Sequence, residues 1–366
     1  MPSQKTPNCR KESPPALQGL NQLRFLAAVL VFSQHSLSSS HADDWIDIAG
    51  IRIGRIGTAI FFLLSGFLSA TTTRKPLTWL KDRLVLLFPS YWLVTIAGFL
   101  MAAVTATKSF DGWQVLSQLA GTGYFTHGDH IVNIATWFIS PLLLLYAAVT
   151  TIRLTSVRIV APLMIVGLLA VTLADPPDGA TIHCHAVTFF MAFAAASAGP
   201  RFRTGAVAAM AASLLLLTAF QPEFRYGALA SLLLLPALKV QRTVRFCNLF
   251  SGIAYEWFLV HGLCLAIVSH FTESPVLILA VGAVLSVVSA ICLKSVVRRI
   301  FVLGRRPLKQ AVINEAATPG CRIAYYGAAS DGGAENRYRP ADPAIAHGNF
   351  AMSETLPTRQ VVELSS

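Results

Sequence analysis

Charged residues are scarce in this chain. Only 13% of its 366 residues are Asp, Glu, Lys or Arg, whereas 54% are hydrophobic. A soluble domain carries about 25% charged residues, so the composition argues against a water-soluble globule. The apolar residues also fall in blocks near bilayer length, separated by short charged or Pro/Gly-rich breaks. This pattern is typical of a polytopic helical membrane protein.

Patterns for disulfides and metal sites are lacking. No two cysteines share a CxxC or another metal-ligand spacing, and several lie inside apolar blocks, so we interpret them as small core residues. His127 and His130 lack a third ligand. We therefore predict no metal site and no permanently bound cofactor. The six cysteines are Cys9, Cys184, Cys247, Cys264, Cys292 and Cys321.

What the chain does contain is ten apolar segments, which predict an all-α bundle of about ten transmembrane helices. Residues 1–16 are polar and basic and predict a cytoplasmic N-terminal tail, and residues 17–299 form the predicted membrane domain. Residues 300–366 are rich in Gly, Ala, Asn and Arg, which predicts a disordered cytoplasmic tail. The segments lie near residues 20–38, 57–70, 84–106, 137–152, 159–174, 183–199, 204–220, 226–238, 250–271 and 275–294.

The distribution of basic residues predicts the orientation. With the N-terminus inside and ten alternating spans, the inner stretches before the tail hold fourteen Lys and Arg residues. The outer stretches hold four, at Arg52, Arg55, Lys108 and Arg225. This positive-inside bias favours a multi-pass protein of the cell (inner or plasma) membrane with both termini in the cytoplasm. The bilayer therefore explains the net charge of +11 without a nucleic-acid partner.

A cleavable signal peptide is an alternative interpretation of the N-terminus. Basic residues precede the run FLAAVLVF, and small residues follow as far as Ala42. Removal of this segment would leave nine spans.

A few ionisable residues lie inside the predicted spans. Because such residues are costly in a bilayer, they usually face the bundle interior or a water-filled cavity, and each is a candidate functional residue. Arg24 and His35 are eleven residues apart in the first span, so on a helix both point the same way, about 16 Å apart along the axis. Arginine suits phosphate binding and histidine suits proton transfer. Alternatively, Arg24 snorkels to the headgroups and His35 bonds a neighbouring backbone group. The other candidates are His183, His185, Glu256 and His261.

The ninth span carries two of these residues within FSGIAYEWFLVHG. His261 is either a satisfied core histidine or the second functional histidine of a bundle that already holds His35. Glu256 lies at a depth similar to that of Arg24. Because an unpaired carboxylate there is expensive, we expect the two to form an ion pair.

Five motifs occur in order across residues 17–300. They are LQGLNQLRFLAAVLVFSQH, GRIGTAIFFLLSGFLSA, KDRLVLLFPSYW, TWFISPLLLLY and SGIAYEWFLVH. Together they resemble the motifs of the acyltransferase 3 family of multipass membrane acyltransferases. The first resembles that family's Arg-x10-His segment, and the second is similar to its glycine-then-FFxLSGF signature. The third resembles the Arg-rich start of its third span, the fourth its Trp-containing fourth segment, and the fifth its late histidine motif.

The resemblance implies a function. Members of this family move an acyl group, commonly acetyl, from cytoplasmic acyl-CoA to hydroxyls of surface polysaccharides, lipid-linked glycans or antibiotics. Arg24 and His35 match the family's essential pair, and His261 matches its late-span histidine. Arg83 matches one of two arginines before the third-span proline, and Leu86 replaces the other. The resemblance thus implies His35 and His261 as catalytic residues, Arg24 and Arg83 as contacts to the acyl-CoA co-substrate, and a glycan or glycolipid acceptor.

His35 is the expected general base on the acceptor hydroxyl. Tyr91, Ser65 or a broken-helix backbone are candidates for stabilising the oxyanion, and Ser65 is alternatively an acyl-carrying nucleophile or a packing residue. The rival function is a transporter or flippase that uses Arg24, His35, Glu256 and His261 as a substrate or proton path. The chain lacks internal repeats and inverted symmetry, which counts against that alternative. Acids and aromatics in the outer loops suit either a sugar acceptor or ordinary solvated surface.

Overall fold

The computed structural model is almost entirely helical, and the all-α prediction is confirmed. Over the described part of the chain, the only strands are the two-residue pair Asp47–Ile48 and Ile51–Arg52, which form an antiparallel hairpin. The structure describes residues 18–40, 42, 47–48, 50–106, 108–128, 130–155, 162, 164–169, 181–240 and 244–302.

Twelve helices are numbered here in chain order. They are α1 (Gln18–Ser38), α2 (Ile53–Ala70), α3 (Pro76–Thr105), α4 (Gly112–Leu119), α5 (Gly123–His127), α6 (Ile139–Leu154), α7 (Thr181–Ser197), α8 (Arg203–Leu217), α9 (Phe224–Ala237), α10 (Arg245–Ser251), α11 (Ala254–Phe271) and α12 (Pro275–Val297). A short 3-10 turn, Ile134–Thr136, precedes α6, and a π-helical turn, Arg298–Val302, follows α12. Residues 164–169 are also helical.

Five of the described helical stretches are long and apolar enough to cross a membrane. They are Ile53–Ala70, Pro76–Thr105, Ile134–Leu154, Ala254–Phe271 and Pro275–Ile300, and α7, α8 and α9 are shorter apolar helices. On α12, large apolar side chains such as Val284 and Ile291 are exposed. An apolar helix with an exposed apolar face is suited to contact with lipid rather than water. The protein is therefore a helical membrane protein.

Helices occupy nine of the ten predicted segments within the described residues. The remaining segment, 159–174, lies largely outside the described residues, as do residues 1–17 and 303–366 of the two predicted tails. The number of spans and the character of the tails stay predictions. Although α1 is 21 residues long, it is not among the five apolar stretches, because it carries Arg24, His35 and several amide side chains.

Helix α2 lies at the centre of the packing, against α1, α7 and α9. A Cβ at Gly66 would stand 2.1 Å from the Phe189 carbonyl oxygen of α7, and one at Gly57 would stand 2.5 Å from the Ala27 carbonyl oxygen of α1. Only glycine permits helix backbones to approach this closely. These contacts fix α1, and with it Arg24 and His35, against the middle of the bundle.

The segment between α3 and α6 packs against both α3 and α11. The Tyr91 hydroxyl and the Trp92 indole of α3 donate to the carbonyls of Gln118 and Leu119 at the end of α4. Asn133 donates to the Leu259 carbonyl of α11 over 2.8 Å. These hydrogen bonds hold the 3-10 turn next to the part of α11 that carries His261.

Candidate active site

Two cavities in the described part of the bundle border predicted site residues. The first, here called the arginine cavity, has a volume of about 320 Å³ and is bordered by Arg24, Arg83, Glu256 and Lys294. The second, here called the histidine cavity, has a volume of about 300 Å³ and is bordered by His35 and His185. Thr58 of α2 lines both. The two cavities are therefore adjacent at Thr58.

The arginine cavity brings together the two predicted donor-binding residues. Arg24 of α1 and Arg83 of α3 border it, together with Lys294 of α12 and Glu256 of α11. Most other lining side chains are apolar, among them Phe61, Leu64, Leu68, Leu87, Phe138 and Leu142. Three cations against one carboxylate, beside an apolar wall, suit an anionic ligand that carries an extended apolar part.

Each cation is held by a different contact. Arg24 donates to the Asn21 side chain one turn earlier over 3.4 Å. The guanidinium of Arg83 lies 5.6 Å from the ring centre of Trp79, a fully buried indole. The amine of Lys294 donates to the Gly252 carbonyl. Sequence analysis missed Lys294, because a lysine at the end of an apolar segment looks like an ordinary interfacial residue.

The expected ion pair between Arg24 and Glu256 is absent. The two described ion pairs are Arg55–Glu223 and Arg74–Asp82, although Arg24 and Glu256 border the same cavity. Glu256 lies in the first turn of α11. The unpaired amide groups of a helix N-terminus favour a carboxylate there, so Glu256 does not require a direct cation contact.

The two predicted catalytic histidines lie in contact. The ring centres of His35 and His261 are 5.1 Å apart, with the planes at 47°. His35 borders the histidine cavity, whereas the side chain of His261 is 1% exposed and lies behind it. His35 is therefore the one of the two that a ligand in this cavity can reach.

The hydrogen bond of His261 defines its tautomer. Its Nδ1 lies 2.6 Å from the Phe258 carbonyl oxygen, and a carbonyl can only accept. Nδ1 consequently carries a proton, which leaves a lone pair on Nε2 of the neutral ring. Nε2 is buried and has no hydrogen-bond partner among the described groups. A buried, unpartnered acceptor next to His35 is an unusual and costly arrangement for a purely structural histidine.

Polar and aromatic groups line the rest of the histidine cavity. Gln34 and Ser38 come from α1, Arg52 and Arg55 lie at the start of α2, and Tyr124 and Trp137 come from the α3–α6 connection. Hydroxyl and amide groups beside aromatic rings can bind a polyhydroxylated ligand by hydrogen bonds and stacking.

His185 links the two cavities. Its ring stacks on Phe62 with centres 5.1 Å apart and planes at 10°, and Trp137 lies on the same cluster. Phe62 borders the arginine cavity and His185 the histidine cavity, so this stack forms part of the wall between them. His183, the other histidine noted in this segment, borders neither cavity.

The candidates for oxyanion stabilisation differ in position. Tyr91 is 3% exposed, borders neither cavity and donates its hydroxyl to the Gln118 carbonyl, which does not favour it as an oxyanion donor. Ser65 borders the arginine cavity and remains a candidate. The adjacent Gly66 is the residue that packs against Phe189, which explains the small residues at this point of α2.

Among the described side chains, no group of three metal ligands occurs.

Comparison with known proteins yields one family. A family model for an acyltransferase domain, that of acyltransferase 3, matches residues 17–295. No curated protein and no solved structure matches the chain. The matched region spans well over half of the sequence and contains the residues that border both cavities. The chain therefore belongs to the acyltransferase 3 family of membrane acyltransferases.

Proposed function

We propose that the protein is a membrane-bound O-acyltransferase. It moves an acyl group, in the first instance acetyl, from cytoplasmic acyl-CoA to a hydroxyl of a cell-surface polysaccharide, lipid-linked glycan or glycolipid. The observation that carries this proposal is the pair of cavities that meet at Thr58, one cationic and one bordered by His35. Such an arrangement can hold the donor and the acceptor in separate spaces while their reacting ends meet.

The donor occupies the arginine cavity. Its phosphate groups bind Arg24 and Arg83, since a guanidinium offers a planar fork of donors that matches phosphate oxygens. The acyl-pantetheine arm lies along the apolar wall, and its thioester reaches the wall beside Thr58 and Phe62. The binding energy of the phosphates thereby positions the thioester for reaction.

The acceptor occupies the histidine cavity. Nε2 or Nδ1 of His35 takes the proton from the acceptor hydroxyl as its oxygen forms a bond to the thioester carbonyl carbon. The tetrahedral intermediate then collapses, the carbon–sulfur bond breaks, and CoA leaves as a thiolate that takes the proton from His35. The products are an ester on the acceptor and free CoA, and a positioned base of this kind contributes about 10²–10⁴-fold in rate.

His261 is the second catalytic residue in this proposal. Its ring contacts His35, and its Nε2 lone pair has no partner among the described groups. His261 therefore stabilises the proton on His35 while the intermediate exists. A single histidine would have to carry that charge in a buried setting without support.

We also propose ten spans with both termini in the cytoplasm of the cell membrane. The helix ends that border each cavity are those expected if successive helices cross the membrane in alternating directions. The start of α1 at Arg24, the second half of α2 at Leu68 and the end of α12 at Lys294 meet at the arginine cavity. The end of α1 at His35 and the start of α2 at Arg55 meet at the histidine cavity. The positive-inside bias then places the arginine cavity on the cytoplasmic side.

Transfer of label tests the proposal directly. Membranes that contain the protein are incubated with acetyl-CoA labelled in the acetyl group, and surface glycans are analysed by mass spectrometry with and without the protein. We expect acetyl esters that depend on the protein and on His35. If wild-type membranes neither transfer nor hydrolyse the label, the proposal fails, and a transport assay of the rival function becomes the next experiment.

A further inference from the structure

Lys294 is a third cation in the arginine cavity. It lies near the end of α12, whereas Arg24 belongs to α1 and Arg83 to α3. It is the single described residue of α12 that borders this space. Its amine donates to the carbonyl of Gly252, which also borders the cavity. The lysine is thus held at the edge of the cavity.

The hydrogen bond to Gly252 leaves part of the lysine free to bind a ligand. A lysine ammonium has three N–H donors, and the carbonyl uses one of them. Within the described residues, Lys294 makes this one hydrogen bond and no ion pair. Two donors therefore remain available to an anion in the cavity, while the nearby carboxylate of Glu256 offsets part of the positive charge.

The charges of the cavity favour a ligand with several negative groups. Arg24, Arg83 and Lys294 come from three different helices and border one space, and Glu256 is the single described carboxylate there. Without an anion, the three cations repel one another in a setting where apolar walls weaken solvent screening. Acyl-CoA carries three phosphate groups, so each of the three cations has a potential partner.

We propose that Lys294 binds a phosphate group of the acyl-CoA donor together with Arg24 and Arg83. The inference rests on the proposed function and adds a residue to its donor site. Lysine acts here as a point charge on a flexible stem, in contrast to the bidentate arginines. The competing explanation is structural: Lys294 ties α12 to the turn between α10 and α11 through Gly252.

Two donors separate these explanations. Acyl-CoA carries all the phosphates, whereas the corresponding acyl-pantetheine carries none. In Lys294→Gln, which keeps an N–H donor but removes the charge, we expect KM for acyl-CoA to rise roughly tenfold to hundredfold while kcat changes little, as for the loss of a hydrogen bond between charged groups. The kinetics with acyl-pantetheine stay the same. Because both donors are compared in the same membranes, a lower amount of inserted protein cancels from the ratio.

Three further variants complete the experiment. Lys294→Arg keeps the cation and should keep the wild-type preference for acyl-CoA. Leu86→Arg, combined with Lys294→Gln, should restore part of that preference, since Leu86 borders the cavity one turn after Arg83. Lys81→Gln is the matched control, because Lys81 is exposed on α3 and does not border the cavity. It should behave as wild type.

A labelling measurement on the wild-type protein needs no variant. Acyl-CoA should protect Lys294 from an amine-reactive reagent, as followed by mass spectrometry, and acyl-pantetheine should not. Lys81 is the internal reference, with equal labelling throughout. Equal labelling of Lys294 in all conditions, or equal losses with both donors in Lys294→Gln, overturns the proposal and leaves the acyltransferase function intact. If wild type uses neither donor, the proposed function fails as well.

Discussion

His35 and His261 lie with their ring centres 5.1 Å apart, although one belongs to the first helix of the membrane domain and the other to the last but one. The two histidines differ in their access to the histidine cavity, and this difference determines how each can act. His35 faces a cavity, and His261 is buried behind it with one nitrogen bonded to Phe258 and the other unpartnered within the described structure. A ligand hydroxyl can meet His35 directly and His261 only through His35.

Replacing His35 tests the assignment of the base. In His35→Ala we expect transfer to fall about 10²–10⁴-fold per inserted molecule, with donor binding nearly unchanged, because only proton removal is lost. Activity and donor binding are measured against the amount of protein in the membrane. A normal specific activity in this variant would rule out His35 as the base and move the assignment to His261. If His35 is only structural, residual activity instead follows the amount inserted.

Replacing Arg24 should have a different effect. Arg24→Ala removes a phosphate contact rather than a proton acceptor, so we expect weaker acyl-CoA binding with a smaller effect on kcat. Arg24→Lys should restore only part of the affinity, because a point charge lacks the guanidinium fork. Titration of donor binding checks both variants, with Lys81→Gln as the control outside the cavity. Unchanged donor affinity in Arg24→Ala contradicts its assignment.

Gly66 should be required for assembly of the bundle. In Gly66→Ala the new Cβ would stand 2.1 Å from the Phe189 carbonyl oxygen, and a backbone atom cannot rotate away. Helices α2 and α7 would have to separate, at a cost of about 1–3 kcal/mol. We expect less folded protein in detergent and a lower thermal midpoint. Gly205→Ala is the matched control, since nothing lies within 4 Å of a Cβ there. Equal stability of the two variants would contradict the close approach.

Reporter fusions test the proposed orientation. A reporter fused after about residue 110 should be found outside the membrane, and one fused after residue 300 inside, as the excess of inner basic residues predicts. Pairs of reporters that are active on only one side provide the internal control. A C-terminal tail on the outside contradicts the ten-span proposal.

Truncation tests the role of the tail. Removal of the chain after about residue 310 should leave transfer largely intact, since the family match ends at residue 295 and residues 300–366 lack apolar periodicity. The measurement is activity per inserted molecule beside the full-length chain. Loss of activity in a truncated protein that inserts normally would show that the tail contributes to function.

The sequence alone was sufficient to establish the helical membrane class and the family. Bilayer-length apolar blocks have few structural solutions, because every backbone polar group in lipid must be satisfied within a helix or a closed barrel. Eleven-residue spacing likewise sufficed to place Arg24 and His35 on one helix face, since the helical period is a local property. Ordered motifs such as FFLLSGF and SGIAYEWFLVH were specific enough to indicate the family before any contact was known.

Contacts between distant segments were decided only by the tertiary structure. Packing brings His261 onto His35, adds Lys294 to the cavity of Arg24 and Arg83, and divides the site into two spaces at Thr58. Two expectations from the sequence are not met. Glu256 forms no ion pair with Arg24, and Tyr91, a candidate oxyanion donor, donates its hydroxyl to the Gln118 carbonyl instead. Apolar helices carry no signal for which faces meet, since lipid and neighbouring helices are equally apolar. That choice is made by close packing at small residues such as Gly57 and Gly66, whose partners lie elsewhere in the chain.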